Sequence, residues 1–92
     1  MRSLGQTPKR QTQTEMKTYL EPIHRQRIES PGWNATITDW HRNGCSLRIR
    51  NTNYSLIRSG SGFMPTCVGK PIWHQPEYPD AALAVIYRYA NR

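Results

Sequence analysis

Residues 39–51 read DWHRNGCSLRIRN, and this stretch sets the topology that the sequence predicts. The pair Asn43-Gly44 is a strong signal for a two-residue hairpin, because a type I′ turn needs positive φ at both central residues. The run from Trp33 to Arg42 is rich in β-branched and aromatic residues, and the run from Cys45 to Asn51 alternates between apolar and polar residues. The sequence therefore predicts two antiparallel strands joined at Asn43-Gly44.

A turn at this position fixes which side chains share a face of the hairpin. It places Trp40 opposite Leu47 and Asp39 opposite Arg48. The face predicted to pack on the core carries Trp40, Cys45, Leu47 and Ile49. The face predicted to meet solvent carries Asp39, His41, Ser46, Arg48 and Arg50.

A third strand and an irregular edge are predicted next. Tyr54–Ser59 forms the third strand after a turn at Thr52-Asn53, which brings Ser55 to the basic face. Residues 63–73 contain two prolines, which confine such a segment to a sheet edge. This segment forms either one broken edge strand or a second hairpin that turns at Gly69-Lys70.

The C-terminal segment has the clearest helical pattern. Pro79 suits a first helical position. Four residues then form one apolar stripe at helical spacing, namely Leu83, Ile86, Tyr87 and Ala90. We expect this helix to back the sheet by burying Leu83 and Ile86 on Trp40 and Leu47.

The N-terminal part of the chain has little to bury. Residues 1–18 contain no aromatic residue and are rich in Gln and Thr, so they predict a disordered basic leader, in which Met16 offers a second possible start. Residues 19–32 predict a short first strand or an irregular segment. The predicted fold class is therefore α+β, with three antiparallel strands backed by one C-terminal helix in a single domain over residues 19–92.

Charge narrows the class of partner. The net charge is +7, and no acidic residue occurs between Trp40 and Pro76. A basic field of this kind attracts polyanions, so the partner is expected to be nucleic acid, an anionic membrane surface or an acidic protein. No apolar run approaches the ~18 residues of a membrane span, and no secretory signal is present. Two cysteines fit free thiols in a reducing compartment, so we expect a cytoplasmic protein.

Nucleic acid is the favoured partner, and DNA is favoured over RNA. A small sheet can enter the DNA major groove, where arginine reads guanine edges, while a flexible basic leader follows the phosphate backbone. The predicted binding residues are Arg42, Arg48, Arg50, Ser55, Arg58, His41 and Lys70 in the domain, with Lys9 and Arg10 in the leader. One alternative is a merely solvated sheet face. Another is a small interaction or inhibitor protein, for example from a phage or mobile element, that docks on an acidic protein surface.

Metal binding and catalysis have little support in the sequence. Zinc accepts side chains of the types found at His41, Cys45, Cys67 and His74, but the predicted hairpin points His41 and Cys45 to opposite faces. The Cys67 and His74 pair comes with no signature of a catalytic nucleophile. The sequence therefore predicts no metal, no cofactor and no enzymatic activity.

Three strands followed by an alanine-rich helix resemble the ethylene-response-factor DNA-binding domains of plants and the arm-binding domains of phage-type integrases. The similar stretches are Arg25-Gln26-Arg27, WNATITD at 33–39, Gly62-Phe63 and AALAVIYRYA at 81–90. This resemblance implies DNA contacts from the sheet face, although residues 63–78 separate strand from helix here. Arg25-Gln26-Arg27, Asp39 and Gly44 also look loosely like the arginine pair and turn of cyclic-di-GMP-binding PilZ domains, which have serine where His41 stands.

Overall fold

Residues 19–92 are described by the computed structural model, and the predicted leader lies outside them. The elements follow one another in the order helix α1 (Pro22–Glu29), a 3-10 turn (Pro31–Trp33), strands β1 (Ala35–His41), β2 (Gly44–Ile49), β3 (Thr52–Ser59), β4 (Gly62–Cys67) and β5 (Lys70–Pro71), and helix α2 (Pro79–Ala90). The strands form one antiparallel sheet in the order β1-β2-β3-β4-β5.

The α+β class and the C-terminal helix are confirmed, but the three-stranded sheet is wrong because the sheet has five strands. The two additional strands come from residues 62–71. Val68 and Gly69 both have positive φ, at 51° and 82°, and form the tight turn that folds β5 back on β4. The hairpin alternative was therefore the correct one, with its turn one residue earlier than Gly69-Lys70.

The predicted turn at Asn43-Gly44 is wrong by one residue. His41 pairs with Gly44, so the loop residues are Arg42 and Asn43, and neither Asn43 nor Gly44 has positive φ. This turn places Trp40 opposite Cys45 rather than Leu47, and a bulge between Ile37 and Asp39 then brings Ile37 opposite Leu47. The bulge lets both Ile37 and Trp40 face the core.

Gly44 is needed for close packing rather than for an unusual φ. A Cβ atom at this position would lie 2.9 Å from the carbonyl oxygen of Leu56 on the neighbouring strand. The predicted faces of β2 are nevertheless confirmed, because Cys45, Leu47 and Ile49 are buried while Arg48 is exposed.

The type I′ geometry occurs at the next turn. Arg50 and Asn51 have φ of 51° and 66°, and Ile49 pairs with Thr52 across them. The predicted turn at Thr52-Asn53 is therefore wrong, and Arg50 belongs to the turn rather than to strand β2.

Helix α1 replaces the predicted strand or irregular segment at residues 19–32. Pro22 occupies the start of the helix, and the backbone N–H of Glu21 donates to Nδ1 of His24 at 2.9 Å. Arg25 and Glu29 form an i,i+4 ion pair on the exposed side. The apolar pattern was too sparse to reveal the helix, because only His24 and Ile28 are buried in it.

Both helices cover the same face of the sheet. Ile28 of α1 and Leu83 and Ile86 of α2 belong to one buried cluster with the inward residues of β2, β3 and β4. Leu83 and Ile86 are thus buried as expected, but helix α2 packs mainly on strand β4 rather than on the β1–β2 hairpin with Trp40 and Leu47. Tyr87 stays partly exposed, with its ring 4.9 Å from that of Trp33. The opposite face of the sheet carries no helix within the described residues.

Candidate nucleic-acid interface

Arg50 does not lie on the sheet face that the sequence predicted for it. Its Nη1 donates to the carbonyl oxygen of Ala90 at 3.1 Å, and its Nη2 donates to Oδ1 of Asn91 at 2.7 Å. The side chain therefore joins the β2–β3 turn to the end of helix α2. Arg48 and Arg50 consequently do not project side by side from one strand.

The uncovered sheet face is rich in hydroxyl groups rather than basic. Ser46, Ser55 and Thr66 lie opposite one another on β2, β3 and β4, and the hydroxyls of Ser55 and Thr66 are hydrogen-bonded. Nε2 of His41 lies 3.4 Å from Oδ2 of Asp39, so the imidazole of His41 has a negative charge next to it. Arg48 is the one Lys or Arg that the strand registers place on this face within residues 19–92. A face with so little net positive charge is a weak site for a polyanion.

Arg42 and Arg58 both lie over one aromatic ring. Their guanidinium carbons are 4.0 Å and 4.9 Å from the ring centroid of Tyr19. Arg58 pairs with the buried Phe63 and so belongs to the helix side of the sheet. These two predicted binding residues are therefore at the end of the sheet with the β1–β2 and β3–β4 turns. Lys9 and Arg10 lie outside the described residues.

Three separate segments meet at the other end of the sheet, where the β2–β3 and β4–β5 turns lie. The backbone N–H of Val68 donates to the carbonyl of Asn53 at 2.8 Å, which places the β4–β5 turn beside the start of β3. The rings of Tyr54 and Tyr89 meet edge to face at 6.4 Å, which adds the last turn of α2. We call the cations carried by these segments the basic end, which comprises Arg48, Arg50, Lys70, Arg88 and Arg92. Residues 19–92 contain nine Lys or Arg residues, so more than half of them lie there.

The basic end keeps its positive charge because Arg48, Arg50 and Arg92 donate their hydrogen bonds to neutral groups. Arg48 donates to the side-chain amide oxygen of Asn53 at 3.2 Å. Arg92 donates to the carbonyl of Tyr89 at 3.4 Å and lies 3.9 Å from the centroid of its ring. Within the described part of the chain, no Asp or Glu forms an ion pair with any of the five cations.

The carboxylates of the domain are engaged by other partners. Glu29 pairs with Arg25, and Asp80 pairs with Arg27. Glu77 accepts hydrogen bonds from the side chains of Gln75 and Trp73, which hold the pKa of its carboxyl below the usual range. Arg25 and Arg27 thus have their charges largely neutralised, in contrast to the cations of the basic end.

The sequence pointed to Arg48, Arg50 and Lys70 as binding residues but not to Arg88 and Arg92, which are two of the five cations of the basic end. The available signal was their i,i+4 spacing, which places both on one side of the helix next to Tyr89. The sequence could not show that the β2–β3 and β4–β5 turns both lie beside the C-terminal end of helix α2.

The four side chains of types that zinc accepts, at His41, Cys45, Cys67 and His74, do not lie together. Cys45 is buried in the core, where burial raises the pKa of its thiol to about 12, whereas His41 faces outward. Cys67 is half-buried opposite Tyr54, and the ring of His74 lies on that of Trp73. Within residues 19–92, no group of three or more His, Cys, Asp or Glu side chains could hold a metal ion. No helix in the same range is long and apolar enough to span a membrane.

No protein-family model, curated protein or solved structure matches the chain. The resemblance to ethylene-response-factor and integrase arm-binding domains therefore stays a prediction, as does the cytoplasmic location. Arg25 and Arg27, which carry part of both resemblances, lie on helix α1 rather than on a strand.

Proposed function

We propose that the protein binds nucleic acid through the basic end. The observation that carries this proposal is that five cations from three segments lie together without an ion-pair partner among residues 19–92, and that the three of them with hydrogen-bond partners, Arg48, Arg50 and Arg92, donate to neutral groups. Phosphate groups supply the negative charge that such a cluster lacks, and arginine and lysine contacts to phosphate account for most non-specific nucleic-acid affinity. DNA remains favoured over RNA as a proposal from the sequence.

The arrangement divides the cations into fixed and mobile ones. Arg50 and Arg92 are held by hydrogen bonds to the end of helix α2, so less side-chain entropy is lost when they meet a phosphate. Arg48 is likewise held by its hydrogen bond to Asn53, whereas Lys70 is exposed on strand β5 and can adjust to the path of the backbone. The three arginines position the ligand, and Lys70 adds a contact beside them.

The leader and the arginines at Tyr19 extend this proposal to the other end of the domain. Lys9 and Arg10 precede Tyr19 in the chain, where Arg42 and Arg58 lie. Arg42 and Arg58 are therefore candidates for a second contact with a long polyanion, although the sheet face between the two ends, with His41 and Ser55, carries too little positive charge to hold one.

Fluorescence anisotropy with labelled duplex DNA, single-stranded DNA and RNA in roughly 50 mM salt tests the proposal. The double change Arg48→Ala with Lys70→Ala should weaken binding at least about tenfold, because hydrogen bonds to charged groups contribute about 1.5 kcal/mol or more each. The control, Arg25→Ala with Arg27→Ala, removes the same formal charge from arginines that are already paired with carboxylates.

The control should bind within about twofold of the wild type, since those charges are compensated in the folded protein. Equal losses in the two double variants would show that only net charge matters and would overturn the assignment to the basic end. If the wild type binds no nucleic acid in low salt, docking on an acidic protein surface becomes the better explanation of the cluster.

A further inference from the structure

An aromatic groove adjoins the basic end. It has a volume of about 220 Å³, lies between the segment after β5 and the C-terminal half of helix α2, and is lined by Ile72, Trp73, Val85, Arg88 and Tyr89. Trp73 is 39% exposed, which is unusual for the largest apolar side chain in a domain with a small core. A groove that combines two aromatic rings with an arginine suits a ligand that is both flat and negatively charged.

The Trp73 ring is held in place rather than free to rotate. Its Nε1 donates to Oε2 of Glu77 at 2.8 Å, and the side-chain amide of Gln75 donates to the same oxygen at 2.9 Å. His74 covers part of the indole, with the two ring centroids 4.8 Å apart. An aromatic ring that is fixed before binding loses little conformational entropy when a second ring stacks on it.

Positive charge surrounds the groove on its helix side. Arg88 lines it directly, and Arg92 lies over the ring of Tyr89 one helical turn later. The carboxylate of Glu77 accepts the hydrogen bond of Trp73, so it repels a phosphate on that side of the groove. A phosphate is therefore favoured on the opposite side, near Arg88. The charges therefore orient a nucleotide with its base toward Trp73 and its phosphate toward Arg88.

We infer that this groove takes an unpaired base of a single-stranded nucleic acid, which stacks on its aromatic rings while Arg88 contacts the phosphate. Bases within a duplex are already stacked and cannot enter such a groove, whereas single-strand binders combine a basic track with aromatic stacking platforms. This inference rests on the proposed function and narrows its substrate class from nucleic acid in general to unpaired strands.

The test compares a labelled oligothymidine of about 15 nucleotides with a duplex of the same length in anisotropy titrations of the full chain. The wild type should bind the single strand more tightly. Trp73→Ala should weaken single-strand binding at least about fivefold, the lower bound for losing one stacked base, and leave duplex binding within about twofold. Trp73→Phe should restore most of the affinity, since it keeps an aromatic face.

Tyr78→Ala is the matched control, because Tyr78 is 41% exposed and does not line the groove. It should bind both ligands as the wild type does, and circular dichroism should show all variants folded. Single-strand binding that is unchanged in Trp73→Ala, or a wild-type preference for duplex, would overturn the inference while leaving the proposed function in place. Absence of binding to both ligands in the wild type would instead remove the proposed function itself.

Discussion

The guanidinium of Arg50 donates to the side-chain oxygen of Asn91 at 2.7 Å, across 41 residues of sequence. The same guanidinium donates to the carbonyl of Ala90, so one side chain satisfies acceptors at the end of helix α2. It does so from a residue with φ of 51°, a left-handed conformation that is unfavourable for any residue with a Cβ atom. The contact offsets that cost and fixes a cation at the centre of the basic end.

Two substitutions of Arg50 should distinguish the free-energy cost of its left-handed backbone from the stability that its side-chain hydrogen bonds contribute. Arg50→Ala loses the hydrogen bonds but keeps the left-handed strain, so the free energy of unfolding should fall by about 1–2 kcal/mol. Arg50→Gly also loses the bonds but removes the strain, so it should be less destabilised than Arg50→Ala by about 1 kcal/mol. Urea denaturation measures both. Wild-type stability in Arg50→Ala would mean that the contact with α2 does not form in solution.

A second prediction concerns the close approach of strands β2 and β3. Gly44→Ala should destabilise the domain by more than about 1 kcal/mol, because the new Cβ would lie 2.9 Å from the carbonyl oxygen of Leu56. Gly32→Ala is the control, since a Cβ there meets nothing within 4 Å. Thermal unfolding compares the two. Equal midpoints for both variants would contradict the observed register of β2 against β3.

A third prediction concerns the buried His24. Burial is the main reason that its pKa lies below the usual 6.5, with Arg27 lowering it further and Asp80 and Glu21 opposing the shift. Its Nδ1 accepts the N–H of Glu21, which also requires the neutral ring. Because the pKa of His24 is lower in the folded protein than in the unfolded chain, the unfolded chain takes up the proton more readily. The stability contributed by neutral His24 is therefore fully present above pH 6.5 and is lost as the pH falls below it.

The free energy of unfolding of the wild type should therefore decrease between pH 7.5 and pH 5.5, because the unfolded chain takes up the proton first. His24→Gln should be less stable at pH 7.5 and show a smaller decrease. His74→Gln serves as the control, since His74 is exposed. A decrease of the same size in His24→Gln and the wild type would assign the pH dependence to other groups.

Local residue patterns were enough to predict several elements of the fold. The alternation of Cys45, Leu47 and Ile49 predicted the buried face of β2, and Pro79 with Leu83 and Ile86 predicted helix α2. These elements have strong periodicity and depend little on the rest of the chain. Helix α1 was missed because only two of its residues, His24 and Ile28, are buried, which is too few for a clear apolar pattern.

Turn positions and the candidate site depended on tertiary contacts that the sequence does not display. Asn43-Gly44 has the composition of a type I′ turn, yet Arg50-Asn51 adopts positive φ at both of its residues, with Arg50 held by helix α2. The register of β1 depends on a bulge at residues 37–39 that no local signal marks. Since these shifts decide which cations share a surface, the sequence predicted Arg48 and Arg50 side by side on the sheet face, whereas Arg50 lies at the end of helix α2.

The salt dependence of binding tests the proposal that the basic end contacts phosphates. For a single strand, the logarithm of the association constant falls with the logarithm of salt concentration by about 0.7 for each phosphate contact, and for a duplex by about 0.9. The triple change Arg48→Ala, Lys70→Ala and Arg88→Ala should therefore make the slope shallower by about two for the ligand that the wild type prefers. A slope equal to that of the wild type would show that these cations do not contact phosphate and would contradict binding at the basic end.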